Sequence, residues 1–130
     1  MCRWCKGVVS GRRRTFCSDA CVHEWRLRSS TSYLRECVFE RDRGICALCG
    51  LDTHRLRRRV MRLAFAERMR ELRSLQARGI IHKRRKSWWE ADHIRAVVEG
   101  CDSNLENVRT LCIPCHRAVT RSLRERRKKA

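Results

Sequence analysis

Eight of the ten cysteines fall into four close pairs: Cys2-x2-Cys5, Cys17-x3-Cys21, Cys46-x2-Cys49 and Cys112-x2-Cys115. Two thiolates at such spacing can span adjacent corners of a tetrahedron, so two pairs make a four-sulfur zinc site. This pattern constrains the fold more than any composition value. Residues 2–21 can close a finger on themselves, the spacer Lys6–Phe16 supplying Gly7, Gly11 and three arginines for a short hairpin or knuckle. Cys46 and Cys49, with Gly50 letting the backbone curl toward sulfur, must instead find Cys112 and Cys115 across 62 residues. That separation is long for a simple finger and implies an insertion. The chain opens Met1-Cys2-Arg3-Trp4-Cys5 with no apolar leader, and no apolar run approaches the ~18 residues that span a bilayer. The expectation is an intracellular, non-secreted chain with no membrane partner, whose cysteines bind metal and do not form disulfides.

At 130 residues the chain has room for one small domain with an attached finger, and its formal net charge is +18. The charge is uneven. Residues 54–86 carry thirteen basic residues against Glu67 and Glu71, net +11, and residues 117–130 are net +6. Between them residues 87–116 are net −3: Glu90, Asp92, Glu99, Asp102 and Glu106 face only Arg95 and Arg109. Basic blocks of this density call for an acidic partner, and nucleic acid is the natural one. The candidate contacts are Arg55, Arg57, Arg58, Arg59 and Arg62 in the first block and Lys83, Arg84, Arg85 and Lys86 in the exposed loop after it. A plain phosphate clamp gains nothing from an acidic island, whereas a cation site needs one.

The coarse pattern is α+β. Residues 22–43 read as helix, interrupted at residues 29–32, with Ser32 as the cap of the second part and Gly44 as its stop. Leu56, Val60, Leu63, Met69, Leu72 and Leu75 recur at three- and four-residue spacing and predict one long basic helix over 53–78, stopped by Gly79 and about 35–40 Å in length. Residues 88–94 and 107–111 suit two strands joined by a loop, and a helix opens at Cys112 with Pro114 in its first turn and runs through Leu123. Arg126–Ala130 reads as a disordered basic tail. Trp88 and Trp89 read as packing residues, Cys37 as a small core residue, and His23 as a helix-surface residue, while His54 and His82 carry no signal beyond their basic neighbourhood. In a hairpin backed by a helix, Asp92 and His116 would meet, and His93, next along the strand, would point to the other face.

Asp92-His93-Ile94, then Asn107, then Leu111-Cys112-x2-Cys115-His116, preceded by Arg41-Asp42-Arg43-Gly44 and Cys46-x2-Cys49, resembles an HNH endonuclease of the ββα-metal (His-Me finger) superfamily. The likeness covers roughly residues 31–120. The Cys17–Ser30 run is in addition similar to the segment before the HNH module of annealing helicases that carry an appended nuclease. The resemblance implies a small zinc-stabilised ββα-metal, treble-clef-like domain over 31–125, with 53–86 as a basic helical insertion, a four-cysteine finger over 1–30 and a tail over 126–130. It implies that His93 is the general base for the attacking water, a role suited to the side chain whose charge changes near neutral pH. Asn107 would fix the loop and orient His93. Asp92 and His116 would ligate one catalytic cation, Mg²⁺ or Mn²⁺, stabilising charge on the phosphate and the leaving oxygen. Cys46, Cys49, Cys112 and Cys115 match the family's structural zinc, while Cys2, Cys5, Cys17 and Cys21 form the finger's own zinc site.

The implied reaction is hydrolysis of a DNA phosphodiester, by an endonuclease or nickase, to 5′-phosphate and 3′-hydroxyl ends. One such site cuts one strand, so double-strand cleavage would take a homodimer or two events. The sequence departs from the family after His93, where Arg95-Ala96-Val97-Val98-Glu99-Gly100-Cys101 replaces the usual Pro and Gly pair and leaves Cys101 without an assigned role. The alternative is a non-catalytic zinc-finger module that binds DNA. Such a binder has no need of Asp92, His93, Asn107 and His116 together.

Overall fold

The computed structural model describes residues 1–95 and 103–129. Five helices and one two-stranded antiparallel sheet are present among them: α1 (Asp19–Ser29), α2 (Thr31–Asp42), α3 (Thr53–Met61), α4 (Phe65–Ala77), β1 (Trp89–His93), β2 (Val108–Cys112) and α5 (Ile113–Lys129). The α+β reading therefore holds. The loop expected over 95–106 lies largely outside the described residues, as do Cys101, Glu99 and Asp102; its described end is a 3₁₀ turn, Leu105–Asn107, capped by Asn104.

The hairpin is set by its register. Trp89 pairs with Cys112, Ala91 with Thr110 and His93 with Val108 on one face; Glu90 pairs with Leu111 and Asp92 with Arg109 on the other. The first face packs on α1 and α2, where Leu27, Leu34, Val38 and Val108 form a buried cluster with Tyr33, Cys37, Trp89, Ala91 and Leu105 against it. The second carries Leu111, which packs with Cys46, Cys112 and Val119 beneath α5. Trp88, one residue earlier, goes elsewhere: with Val60, Leu75 and Ile81 it fills a third cluster inside the insertion. The two tryptophans are packing residues, each for a different core.

Three expectations need correction. The basic helix over 53–78 is two helices, α3 and α4, with a break at Arg62–Ala64. No Gly or Pro causes it; in one continuous helix Val60 and Leu75 would stand about 22 Å apart. Folding back places both against Trp88 and Ile81, and that burial outweighs helix propensity across the break. The expected length of 35–40 Å goes with it. The second correction concerns α2, which starts at Thr31 with Ser30 as its cap, the Ser30 hydroxyl accepting from the Tyr33 amide at 3.2 Å; Ser32 is not the cap. Ser30 is extended (φ −133°) and closes α1 as well, so one residue makes the whole turn. The third is α5, which continues past Leu123 to Lys129, where a disordered tail was expected. Arg, Glu and Lys are good helix formers, and cations at the last turn complement the helix dipole.

Short-range geometry then fixes the knuckle. Arg43 and Gly44 both sit at positive φ and reverse the chain out of α2. A Cβ on Gly44 would meet the Thr53 hydroxyl at 3.0 Å and His54 at 3.1 Å, so only glycine lets α3 start there. Thr53, fully buried, binds the Gly44 carbonyl through both its amide (3.0 Å) and its hydroxyl (2.6 Å). The Ala47 amide donates to the Thr110 carbonyl at 2.8 Å, fastening the knuckle to β2. Arg41 spans the same junction, donating to the Leu105 and Val108 carbonyls, and Asp42 accepts from the Thr110 hydroxyl at 2.9 Å.

Candidate active site

The sulfur atoms of Cys2, Cys5, Cys17 and Cys21 lie within 4.8 Å of one another, as do those of Cys46, Cys49, Cys112 and Cys115. Individual separations are 3.6 Å for Cys5–Cys17, 3.4 Å for Cys17–Cys21 and 3.5 Å for Cys49–Cys112. A tetrahedron with 2.3 Å zinc–sulfur bonds has edges of about 3.8 Å, whereas a disulfide needs about 2.05 Å. Backbone amides point at sulfur, Gly7 at Cys5 (3.4 Å) and Cys49 at Cys46 (3.5 Å).

The thiols do not ionise alike. Burial raises Cys46, but hydrogen bonds from the backbone at Cys112, Cys49 and Leu48 outweigh it and bring the thiol down to about 6; Cys2 is held at about 6 by the same opposition. The Cys21 and Cys5 thiols push Cys17 up to about 12, and burial pushes Cys115 up to about 11 and Cys112 higher still. Cys46 and Cys2 thus ionise readily, while Cys17, Cys112 and Cys115 resist. Four ionise together only around a cation, and the two clusters could each hold zinc.

The finger is not a free appendage. The Arg28 guanidinium lies 4.1 Å from the Trp4 ring centroid and that of Arg3 5.4 Å from Trp25, while Phe16 and Trp25 meet at 5.9 Å. These contacts seat it on α1, which packs on α2.

The hairpin and α5 bring together what the spacing suggested. Asp92 projects from β1 toward α5, and its Oδ1 lies 3.9 Å from His116 Nε2 in the first turn of that helix. Two donor atoms at about 2.1 Å from one cation stand at most about 4.2 Å apart, so this oxygen–nitrogen pair fits a shared divalent ion. The other oxygen, Oδ2, accepts from Arg109 Nε at 3.2 Å. His93 falls on the opposite face of β1, its Nε2 3.0 Å from the Ser103 hydroxyl. Asn107 grips the loop that follows. Its Oδ1 accepts from the Arg95 amide (3.0 Å), its Nδ2 donates to the Arg95 carbonyl (3.1 Å), and its own carbonyl accepts from the Ile94 amide (2.8 Å).

Glu90, two residues before Asp92 on the same face, is already paired. Arg85 lies 3.4 Å away, Arg35 3.8 Å and His82 3.9 Å. Burial, then the charges of Arg117 and Arg85, lower the His82 pKa.

Of the nine basic residues singled out from the sequence, Arg55, Arg58, Arg59 and Arg62 line one cleft with Arg43, Asp52 and His54, while Arg57 is exposed beside it. Lys83, Arg84 and Arg85 line another with His82 and Arg117, and Lys86 is exposed. The groove that contains His116, about 470 Å³, is lined by residues the sequence reading left aside: His82, Arg117, Arg121 and Arg124, with Arg85. The signal was present as arginines at i, i+4 and i+7, starting one residue after His116.

Comparison with known proteins agrees with this geometry. Residues 81–122 match the HNH endonuclease family. The mouse (Mus musculus) protein named DNA annealing helicase and endonuclease ZRANB3 is 34% identical over 122 residues, covering 81% of this chain, and the human (Homo sapiens) protein of that name is 34% identical, covering 85%. The chain spans only 11% of the length of each. The crystal structure of the human ZRANB3 HNH domain superposes with a TM-score of 0.59 at 28% identity, covering 78% of this chain and 98% of that one. On family match, homology and fold alike, the chain carries a domain of the HNH endonuclease family.

Proposed function

We propose that the chain is a metal-dependent DNA endonuclease or nickase that hydrolyses one phosphodiester per encounter and leaves 5′-phosphate and 3′-hydroxyl ends. The observation that carries this is the meeting of Asp92 and His116, 3.9 Å apart, with His93 next to Asp92 but on the other face of the strand. When bound there, Mg²⁺ or Mn²⁺ would offset the charge that develops on the phosphate and leaving oxygen. His93 takes the proton of the attacking water. In this reading Nε2–H donates to the Ser103 hydroxyl, the tautomer in which Nδ1 accepts that proton. Asn107 holds the backbone two residues on and so keeps His93 at its post.

Zinc in the two cysteine clusters is structural in this reading. The first lies in the finger against α1, and the second ends one residue before His116. The groove along α5 takes the phosphate backbone beside the cut, and the arginines of α3 and the 82–86 loop add further phosphate contacts that release counterions. DNA is favoured over RNA because the relatives are named for DNA. Double-strand cleavage would take two copies or two events.

The test incubates purified, zinc-loaded protein with supercoiled plasmid and Mg²⁺ or Mn²⁺, then maps the ends. Cutting that vanishes in His93→Ala is expected; full activity in that variant refutes the assignment. Tight binding with no cutting on any DNA form would instead make the chain a zinc-finger binding module.

A further inference from the structure

Among the described residues, no carboxylate of the acidic island stands unpaired where the cation would sit. Glu90 is bracketed by Arg85 and Arg35. Asp92, its side chain only 12% exposed, shares its two oxygens between different neighbours: Oδ2 with Arg109 and Oδ1 toward His116. The Arg109 contact is built in by the sheet, because Asp92 and Arg109 are directly paired across the strands and therefore share a face. The described surroundings add more positive charge, from Arg117 on α5 and Arg85 on the loop. The Asp92 carboxylate and the Arg109 guanidinium sum to zero. A dication entering such a site meets two donor atoms but no net attraction from the described residues.

We propose that Arg109 is a positioning residue that makes cation binding conditional on nucleic acid. It occupies Oδ2, leaving Asp92 one oxygen to offer, and it cancels the carboxylate charge, so that the negative charge needed to hold a dication comes from the substrate phosphate. This inference rests on the proposed cation site and names how that site is regulated. Its consequence is a nuclease whose metal is recruited together with DNA and is largely absent between encounters, which restrains hydrolytic chemistry at the unoccupied site.

The experiment measures Mn²⁺ binding by electron paramagnetic resonance on the full, zinc-loaded chain. All variants carry His93→Ala so that duplex stays intact, and the Mn²⁺ taken up by duplex alone is subtracted. With Arg109 present, duplex should tighten Mn²⁺ binding at least about tenfold, the effect of one added negative charge at a solvent-screened site. Arg109→Gln should tighten binding about tenfold without DNA and shrink the gain from duplex, and Arg109→Lys, which keeps the charge, should stay near the parent. A variant that merely lost structure would bind more weakly, so the predicted gain is not an effect of damage; circular dichroism and a count of two zinc ions per chain check the fold. Equal or weaker Mn²⁺ binding in Arg109→Gln overturns the inference while leaving the cation site intact. Mn²⁺ binding that Asp92→Asn leaves unchanged overturns the site, and the inference with it.

Discussion

Asn107→Ala is the substitution whose effect can be worked furthest from the structure. Two of the hydrogen bonds at this side chain go to one residue, both to the Arg95 backbone at 3.0 and 3.1 Å. Neither partner is charged, so each contributes about 1 kcal/mol net and the pair about 2 kcal/mol. The bond from the Ile94 amide to the Asn107 carbonyl is backbone and survives. If His93 acts only while the chain after it is held, the competent population should fall about 30-fold, the Boltzmann equivalent of 2 kcal/mol. That loss belongs in kcat, with KM for DNA unchanged, since Asn107 lines neither the α3 cleft, nor the α5 groove, nor the cleft of the 82–86 loop. Two measurements check it. Steady-state cleavage gives the kcat against KM split. Amide hydrogen exchange should show the Arg95 amide exchanging faster by a similar factor while Ile94 stays protected. Asn107→Asp should be worse than Ala in kcat, because an oxygen would replace Nδ2 opposite the Arg95 carbonyl. An unchanged Arg95 amide, or a loss confined to KM, would refute the reasoning.

Other consequences can be checked separately. Elemental analysis should find two zinc ions per chain and one in Cys17→Ser, and a strong chelator should unfold the hairpin region, since structural zinc contributes on the order of 10 kcal/mol to folding in finger peptides. Leu75→Ala, at a side chain 2% exposed, should cost about 2–5 kcal/mol in denaturant unfolding of the α3–α4 region. His82 is held neutral by burial beside Arg117 and Arg85, so its folded pKa lies below its unfolded value near 6.5. The unfolded chain then binds the extra proton, and this part of the stability is whole above pH ~6.5 and lost as pH falls toward the folded pKa. Thermal unfolding of His82→Gln should show a flatter pH dependence below ~6.5 than the parent. Replacing Arg117 and Arg121 by Ser should lower the slope of log binding constant against log salt by about 2, measured by anisotropy.

Much of the site was legible because its signals are local or strictly spaced. The cysteine pairs name their own partners, Pro114 marks a first helical turn, and Asp92 and His93 as neighbours in one expected strand imply opposite faces. Long-range packing was not legible. Nothing between Met61 and Phe65 breaks a helix; only the position of Trp88, more than twenty residues later, makes the fold-back favourable. The pairing of Asp92 with Arg109 was hidden for a similar reason. Strand pairing fixes it, and the sequence shows only a net charge for the segment, which suggested free carboxylates where the fold supplies ion pairs. The α5 arginines were readable by helical spacing, since Arg117 and Arg121 fall within the helix expected through Leu123, but the sequence shows them only as part of a basic block and not as the wall of one groove.

The divided loyalties of Trp88 and Trp89 have a further consequence. A two-stranded ribbon is an error-prone element, free in principle to slip by one residue and exchange its faces. Here a slip would turn Trp89 away from the α2 core and draw Trp88 out of the insertion. It would also carry Asp92 away from α5 and swing His93 toward it. Two bulky side chains, aimed in opposite directions at two separate cores, act as a ratchet on β1, so the alignment of Asp92 and His93 is proofread by hydrophobic packing alone.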